Sequence, residues 1–397
     1  MRGVLAALVL TLCARSACAQ DRLPPGDEGW YADGRSGIRG ATIGPIESSL
    51  FPGRGYGTPS TAALLDHLAR LGVNWVSVTP FGRIWDLSST DVLMDFEAPY
   101  EENRAAVRRV VAQAHARGMQ VMIIPHLWVE TEGWRGEIDP GSPEGWAQYQ
   151  ASYRAFVTAW AQDAALAGAD AFSIGVECGS WSGRFGGYWA SLIEEVRALF
   201  PGLLTYSANW DEVDHVLFWD QLDLIGVNAF YPLAERDDAS FDQYVQGALR
   251  ARQGLAELVA VVQRPVVFTE IGYTTRRNAA VQPWLWPDGM SQVELSEAEQ
   301  ARALLASFRA FLPNRWFTGF FVWRWYADLD DVSQEAIWGF SPHGKRAERV
   351  LGRVFAQPWA VDPEPFAWLD APAPAGPRVL DVLDELAMRL RPTVVPR

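Results

Sequence analysis

The sequence predicts an α/β protein, a (β/α)8 TIM barrel with a short C-terminal extension, and three observations carry that reading. Eight short apolar, β-branched runs alternate with helical stretches between residues 38 and 357. Two of those runs, DAFSIGVE at 170–177 and PVVFTEIGY at 265–273, end on a carboxylate where the apolar stretch stops. No Gly-rich nucleotide loop follows any run, which disfavours an open doubly wound sheet. The chain of 397 residues is 49% hydrophobic and 21% charged, enough apolar material for one large core.

The first segment, MRGVLAALVLTLCARSACAQ, has Arg2, an apolar run over Val4–Leu12 and a small-residue site at Ala17-Cys18-Ala19. It reads as a signal peptide over 1–19, cut after Ala19, on a chain destined to be secreted or periplasmic. Residues 20–37 form a loop-rich leader. The barrel strands are expected at Ile38–Pro45, Val73–Pro80, Gln120–His126, Asp170–Glu177, Leu203–Asn209, Leu222–Phe230, Pro265–Gly272 and Phe317–Trp325. Helices are expected at Thr58–Gly72, Glu102–Gly118, Ser142–Gly168, Gly187–Phe200, a short stretch at Val213–Gln221, then Phe241–Gln263, Ser296–Leu312 and Lys345–Phe355. Thr58-Pro59 and Ser142-Pro143-Glu144 are helix starts, and Gly72, Gly118 and Gly168 are stops. The catalytic barrel therefore covers 38–357, and 358–397 is a Pro-rich tail with a helix at Val379–Leu390.

Of three cysteines, Cys13 and Cys18 fall in the signal peptide, so the exported chain keeps only Cys178 and forms no internal disulfide. Cys178 follows Glu177, but with no histidine near it in sequence to activate it the expected state is a buried bystander. Losing Arg2 and Arg15 takes the formal charge from −14 to −16, which excludes nucleic acid and anionic lipid as natural partners. The expectation is a monomer, without membrane attachment after signal cleavage, acting on a neutral substrate.

If the barrel closes, the strand ends gather one set of side chains on one face: Arg83, His126, Trp128, Glu177, Trp181, Asn209, Trp210, Asn228, Tyr231, Glu270 and Trp323. Glu177 and Glu270 stand 93 residues apart, about three βα units. The bland reading of Glu270 is a rim acid paired with Arg276 or Arg277. Arg83 either binds substrate or pairs with Asp86 or a catalytic acid, and Asn209 and Asn228 either cap loops or touch substrate. Trp325 is expected in the core. No metal cluster, serine nucleophile elbow or phosphate loop is present, so no metal and no cofactor is expected. Two opposed carboxylates amid 19 tryptophans suit glycosidic bond cleavage, because indole faces stack on sugar C–H faces.

The motifs IGVE at 174–177, GVNAFYPL at 226–233, VFTEIGY at 267–273, GFFVWRWYAD at 319–328 and FSPHGKRAERVL at 340–351 resemble glycoside hydrolase family 113, a clan A family of barrel glycosidases known for β-1,4-mannanases. The resemblance implies retaining double displacement on a β-1,4-linked mannan, with Glu177 as acid/base and Glu270 as nucleophile. It also implies that Tyr231 bonds the nucleophile and that Trp323 floors the subsite of the cleaved sugar. Many clan members carry Asn directly before the acid/base; here it is Val176, and Asn228 or Asn209 is the candidate replacement. The alternatives are the same chemistry on another β-glycan, an exo-acting β-mannosidase, or a non-catalytic carbohydrate-binding barrel.

Overall fold

The computed structural model describes residues 37–44, 53–96, 98–285, 293–330 and 335–356. The expected signal peptide at 1–19, the leader at 20–37 apart from its last residue, and the tail at 358–397 with its helix at 379–390 lie outside the described residues. Contacts divide the chain at Asp362/Pro363, and every described residue belongs to the first unit.

Eight parallel strands close a barrel. They are β1 (Ile38–Gly44), β2 (Trp75–Val78), β4 (Gln120–Ile123), β6 (Ala171–Val176), β7 (Leu203–Asn209), β8 (Ile225–Asn228), β9 (Val266–Ile271) and β10 (Phe317–Tyr326). The ladder runs β1-β10-β9-β8-β7-β6-β4-β2 and returns to β1. Each of the eight expected strands coincides with one of these. Closure needs a close approach at the seam: Gly319 has φ +135° and pairs with Ile38, and an added Cβ would meet the Ile38 carbonyl oxygen at 2.2 Å.

Helices α1 (Pro59–Leu71), α2 (Tyr100–His115), α3 (Pro143–Ala167), α5 (Gly186–Leu199), α6 (Phe241–Val262), α7 (Glu297–Phe311) and α8 (Arg346–Ala356) lie on the expected segments; a short α4 (Gly179–Ser182) follows β6. The start and stop residues act as their chemistry dictates. Thr58 and Ser142 accept from Thr61 N–H and Gly145 N–H, each ahead of a proline, while Gly72 and Gly168 end their helices in the left-handed conformation. Val213–Gln221, expected to be weakly helical, forms two 3-10 turns.

One element was not expected. β3 (Phe81–Ile84) and β5 (His126–Val129) pair in parallel as a second small sheet, just beyond the ends of β2 and β4. This pair raises a wall at one side of the barrel mouth. It is pressed against α3, since an added Cβ on Gly82 would meet the Phe156 ring at 2.6 Å.

The barrel interior is layered. A lower apolar plug contains Ile38, Trp75, Met122, Ala171, Leu203, Val267 and Phe321. Buried hydroxyls pair elsewhere in the strands, Ser77 donating to Thr42 at 2.8 Å and Ser173 bonding Ser207 at 3.0 Å. Outside the barrel, α1 and α8 are joined by a clasp on Glu348, whose Oε1 lies 2.7 Å from His67 Nε2 and 3.2 Å from His343 Nδ1. Trp325 Nε1–H donates to the same oxygen at 3.1 Å, which accounts for the core position of Trp325. These three side chains are the one group among the described residues whose atoms converge as metal ligands do. The hydrogen bonds here make them a clasp.

Candidate active site

Glu177 stands one residue past β6, and Glu270 lies near the end of β9. The ladders shift register at these places, between Ser173 and Val176 in β6 and between Val227 and Asn228 beside β9. Irregular pairing at a sheet end re-aims side chains. Glu177 goes further, with φ +51°, a left-handed conformation uncommon for a residue with a side chain. Its N–H still donates to the Ser207 carbonyl at 2.9 Å, so the chain turns without leaving the sheet.

Both carboxylates are buried, at 6% exposure for Glu177 and 3% for Glu270, so Glu270 is not the exposed rim acid its place at the sheet mouth suggested. Glu177 is held by three N–H donors. Asn228 Nδ2 reaches Oε1 at 2.9 Å, while Trp134 Nε1 and Arg135 Nη2 each reach Oε2 at 3.0 Å. Glu270 is held more loosely: His126 Nε2 lies 3.5 Å from its Oε1, and neither atom has a hydrogen-bond partner among the described residues. Neither Arg276 nor Arg277 pairs with it. Arg277 bonds Asp238 and Glu294, and Arg276 bonds the Gln282 carbonyl.

Burial drives the electrostatics. It pushes the Glu270 carboxyl well above the ordinary carboxylate range, and the neighbouring Glu177 charge pushes the same way, against Arg135, Arg324 and Asn228. Burial also holds His126 well below its usual value, with Arg135 and Arg324 adding to the drop, so its imidazole is neutral at pH 7. Cys178 is buried with its thiol pushed up to about 12, the inert bystander its surroundings imply.

The other sequence candidates divide. His126 lies parallel to Trp323 at 6.1 Å, and the Arg324 guanidinium sits 4.7 Å over the Trp323 ring, which keeps part of its surface exposed. Trp128 is half-exposed on the small sheet and packs edge-on to Phe81 and Phe96. Arg83 pairs with Glu130 at 2.5 Å and lies over Phe96. Trp210 stacks on half-exposed Trp284 at 5.3 Å, with Tyr231 edge-on to Trp210 at 5.8 Å. No hydrogen bond joins Tyr231 to Glu270 among the described residues. The Asn209 side chain caps its own turn by donating to Asp211 at 2.7 Å.

Two candidates are corrected. Trp181 is fully buried among Trp146, Tyr149, Tyr153 and Trp189, on the helix side of the barrel, and presents no face to a sugar. Asn228 is fully buried as well. Its Oδ1 accepts from Thr269 at 2.9 Å and its Nδ2 donates to Glu177, so it supports the acid and has no free end for a substrate.

Three site residues had no signal in the sequence. Trp134 and Arg135 come from the loop between β5 and α3, which has no periodic pattern. Arg324 sits between two tryptophans in a strand and reads as an ordinary interruption.

Comparison with known proteins identifies the fold and the family. No curated protein matches. The β-mannanase of family 113 from Alicyclobacillus acidocaldarius, solved in complex with ManMIm, is 26% identical, covers 85% of this chain and 99% of its own, and superposes with a TM-score of 0.70. A second family 113 β-1,4-mannanase is 25% identical, covers 81% of this chain and 99% of its own, with a TM-score of 0.67. A family 5 mannosidase from Rhizomucor miehei, 11% identical over 81% of this chain and 92% of its own, shares the fold alone, with a TM-score of 0.53. The profile of Glycoside Hydrolase Family 113 matches residues 51–345. With that match over most of its length, the chain belongs to glycoside hydrolase family 113 and is a glycoside hydrolase.

Proposed function

We propose that the protein is an exported, retaining endo-β-1,4-mannanase. The observation that carries the mechanism is the pair of buried carboxylates at the ends of β6 and β9, joined through Asn228 and differing in their partners. Glu270 attacks the anomeric carbon while Glu177 donates a proton to the leaving glycosidic oxygen. Glu177 then takes a proton from water, which hydrolyses the glycosyl–enzyme ester. The unpartnered His126 Nε2, beside Glu270 and parallel to Trp323, is a donor or acceptor for a hydroxyl of the sugar undergoing attack. Half-exposed Trp128 and the Trp210–Trp284 stack supply aromatic faces for further sugar units, which supports an endo-acting enzyme. The names of the family 113 neighbours support mannan as the substrate. The signal peptide read at 1–19 supports export.

The test is reducing-sugar release from β-mannan, glucomannan, β-glucan, xylan and galactan, with Glu270→Ala as the blank. We expect release from the mannans and a loss of at least about 10^4-fold in the variant. Its thermal stability should be unchanged or higher, because a buried carboxylate is removed. A 2-fluoro-mannosyl probe should label Glu270. Release only from another glycan would keep the mechanism and discard the substrate. A folded protein silent on all five, with no labelling, would favour a binding barrel.

A further inference from the structure

A third buried carboxylate lies behind the acid/base. Glu212 is 5% exposed, on the turn that follows β7. One of its oxygens accepts the Asn209 N–H at 3.1 Å, and the other accepts the hydroxyl of fully buried Tyr206. That Tyr206 oxygen in turn accepts the N–H of Cys178 at 2.6 Å, the amide directly after Glu177. A hydrogen-bonded line therefore runs from Glu212 through Tyr206 to the peptide on the C-terminal side of the left-handed kink. The peptide on the N-terminal side is fixed by Ser207.

We propose that Glu212 is a positioning residue: through Tyr206 it anchors the Cys178 amide, and so holds the backbone turn that directs the Glu177 carboxyl at the leaving oxygen. The inference rests on the reading of Glu177 as the acid/base. A left-handed conformation at a residue with a side chain persists only where its surroundings over-determine it, and here the two flanking amides do so. Glu212 is costly where it is. Burial holds its carboxyl up to about 7, and the Glu177 charge adds to the rise. Tyr206 and Cys178, the titratable groups bonded along this line, are themselves pushed up by burial, so both are protonated at working pH. A carboxyl raised in the folded state lowers stability once pH exceeds its unfolded value.

The experiment compares Tyr206→Phe, Glu212→Ala, Glu212→Gln and Glu177→Ala on two substrates, β-1,4-mannan and a dinitrophenyl β-manno-oligosaccharide whose leaving group needs no proton. For Tyr206→Phe and Glu212→Ala we expect kcat on mannan to fall about 10- to 100-fold, with KM unchanged and the dinitrophenyl rate within about threefold of wild type. Glu212→Gln keeps an acceptor oxygen for Tyr206, at the cost of the bond from the Asn209 N–H, so its mannan rate should recover to within about threefold. Equal losses on both substrates, or no loss on either, would overturn the proposal. If Glu177→Ala shows the leaving-group split and the two positioning variants do not, only the role of Glu212 falls. If Glu177→Ala shows no split, the acid/base reading fails and this inference with it.

Discussion

At the scale of single residues, the two carboxylates are one electrostatic unit, and their coupling has a sign that can be measured. Glu270 must be ionised to attack, and burial together with the Glu177 charge raises its carboxyl, so on a dinitrophenyl substrate, which needs no proton from Glu177, kcat/KM should rise with pH through a value above the ordinary carboxylate range. Glu177→Gln removes the like charge, and the ascending limb, followed on a dinitrophenyl substrate, should move to lower pH. Arg135→Ala removes a cation that lowers Glu270, so its limb should move to higher pH. A common direction for both variants would show that Glu270 does not carry that limb. Both acids were legible in the sequence because each interrupts an apolar strand as it ends. Trp134 and Arg135 were not, because they sit on a loop without a periodic pattern and α3 and β6 separate them from Glu177, more than 40 residues on. Trp181 misled for a physical reason: a tryptophan after a strand end suits a sugar platform as well as it suits a helix packing partner. The deciding sign was on α3, where Trp146, Tyr149, Tyr153 and Phe156 form an aromatic stripe that needs something to cover it.

Among elements, the eight strands and their helices could be read from apolar runs and cap residues, since a strand buried on both faces leaves an unbroken signature. β3 and β5 could not. FGRI and HLWV are only four residues long, and each follows a barrel strand closely enough to look like its loop. The α1–α8 clasp was likewise out of reach, because His67 and Glu348 are 281 positions apart. The clasp has a definite stability signature. Burial alone would raise the Glu348 carboxyl, but hydrogen bonds from His343, His67, Gly344 and Trp325 bring it down to about 2. A lowered carboxyl adds stability above its unfolded value near 4.5 and loses it as pH falls toward 2. Glu348→Gln should therefore cost about 2–3 kcal/mol at pH 7, and the gap to wild type should close between pH 4.5 and 2 in denaturant melts. A gap independent of pH would assign the loss to packing instead.

For the molecule as a whole, the formal charge of −14 sets what can approach the cleft. A neutral glycan is indifferent to that field, whereas a carboxylated polysaccharide is repelled by it. Between 10 mM and 500 mM salt, kcat/KM on β-mannan should change by less than about twofold, because a neutral substrate has no charge to screen. A steep salt dependence would point to an ionic substrate.

The stacked indoles of Trp181 and Trp189 have a consequence of another kind. Their rings lie 4.4 Å apart at 30°, and Trp181 is four residues from Glu177 on the segment that the catalytic turn feeds. Two indoles this close and fixed share their electronic excitation, which gives a strong near-ultraviolet circular dichroism band that survives only while side-chain packing is intact. The protein thus carries an optical gauge beside its acid/base. A variant that keeps the band but loses activity has lost chemistry alone, and one that loses the band has lost the turn that holds it.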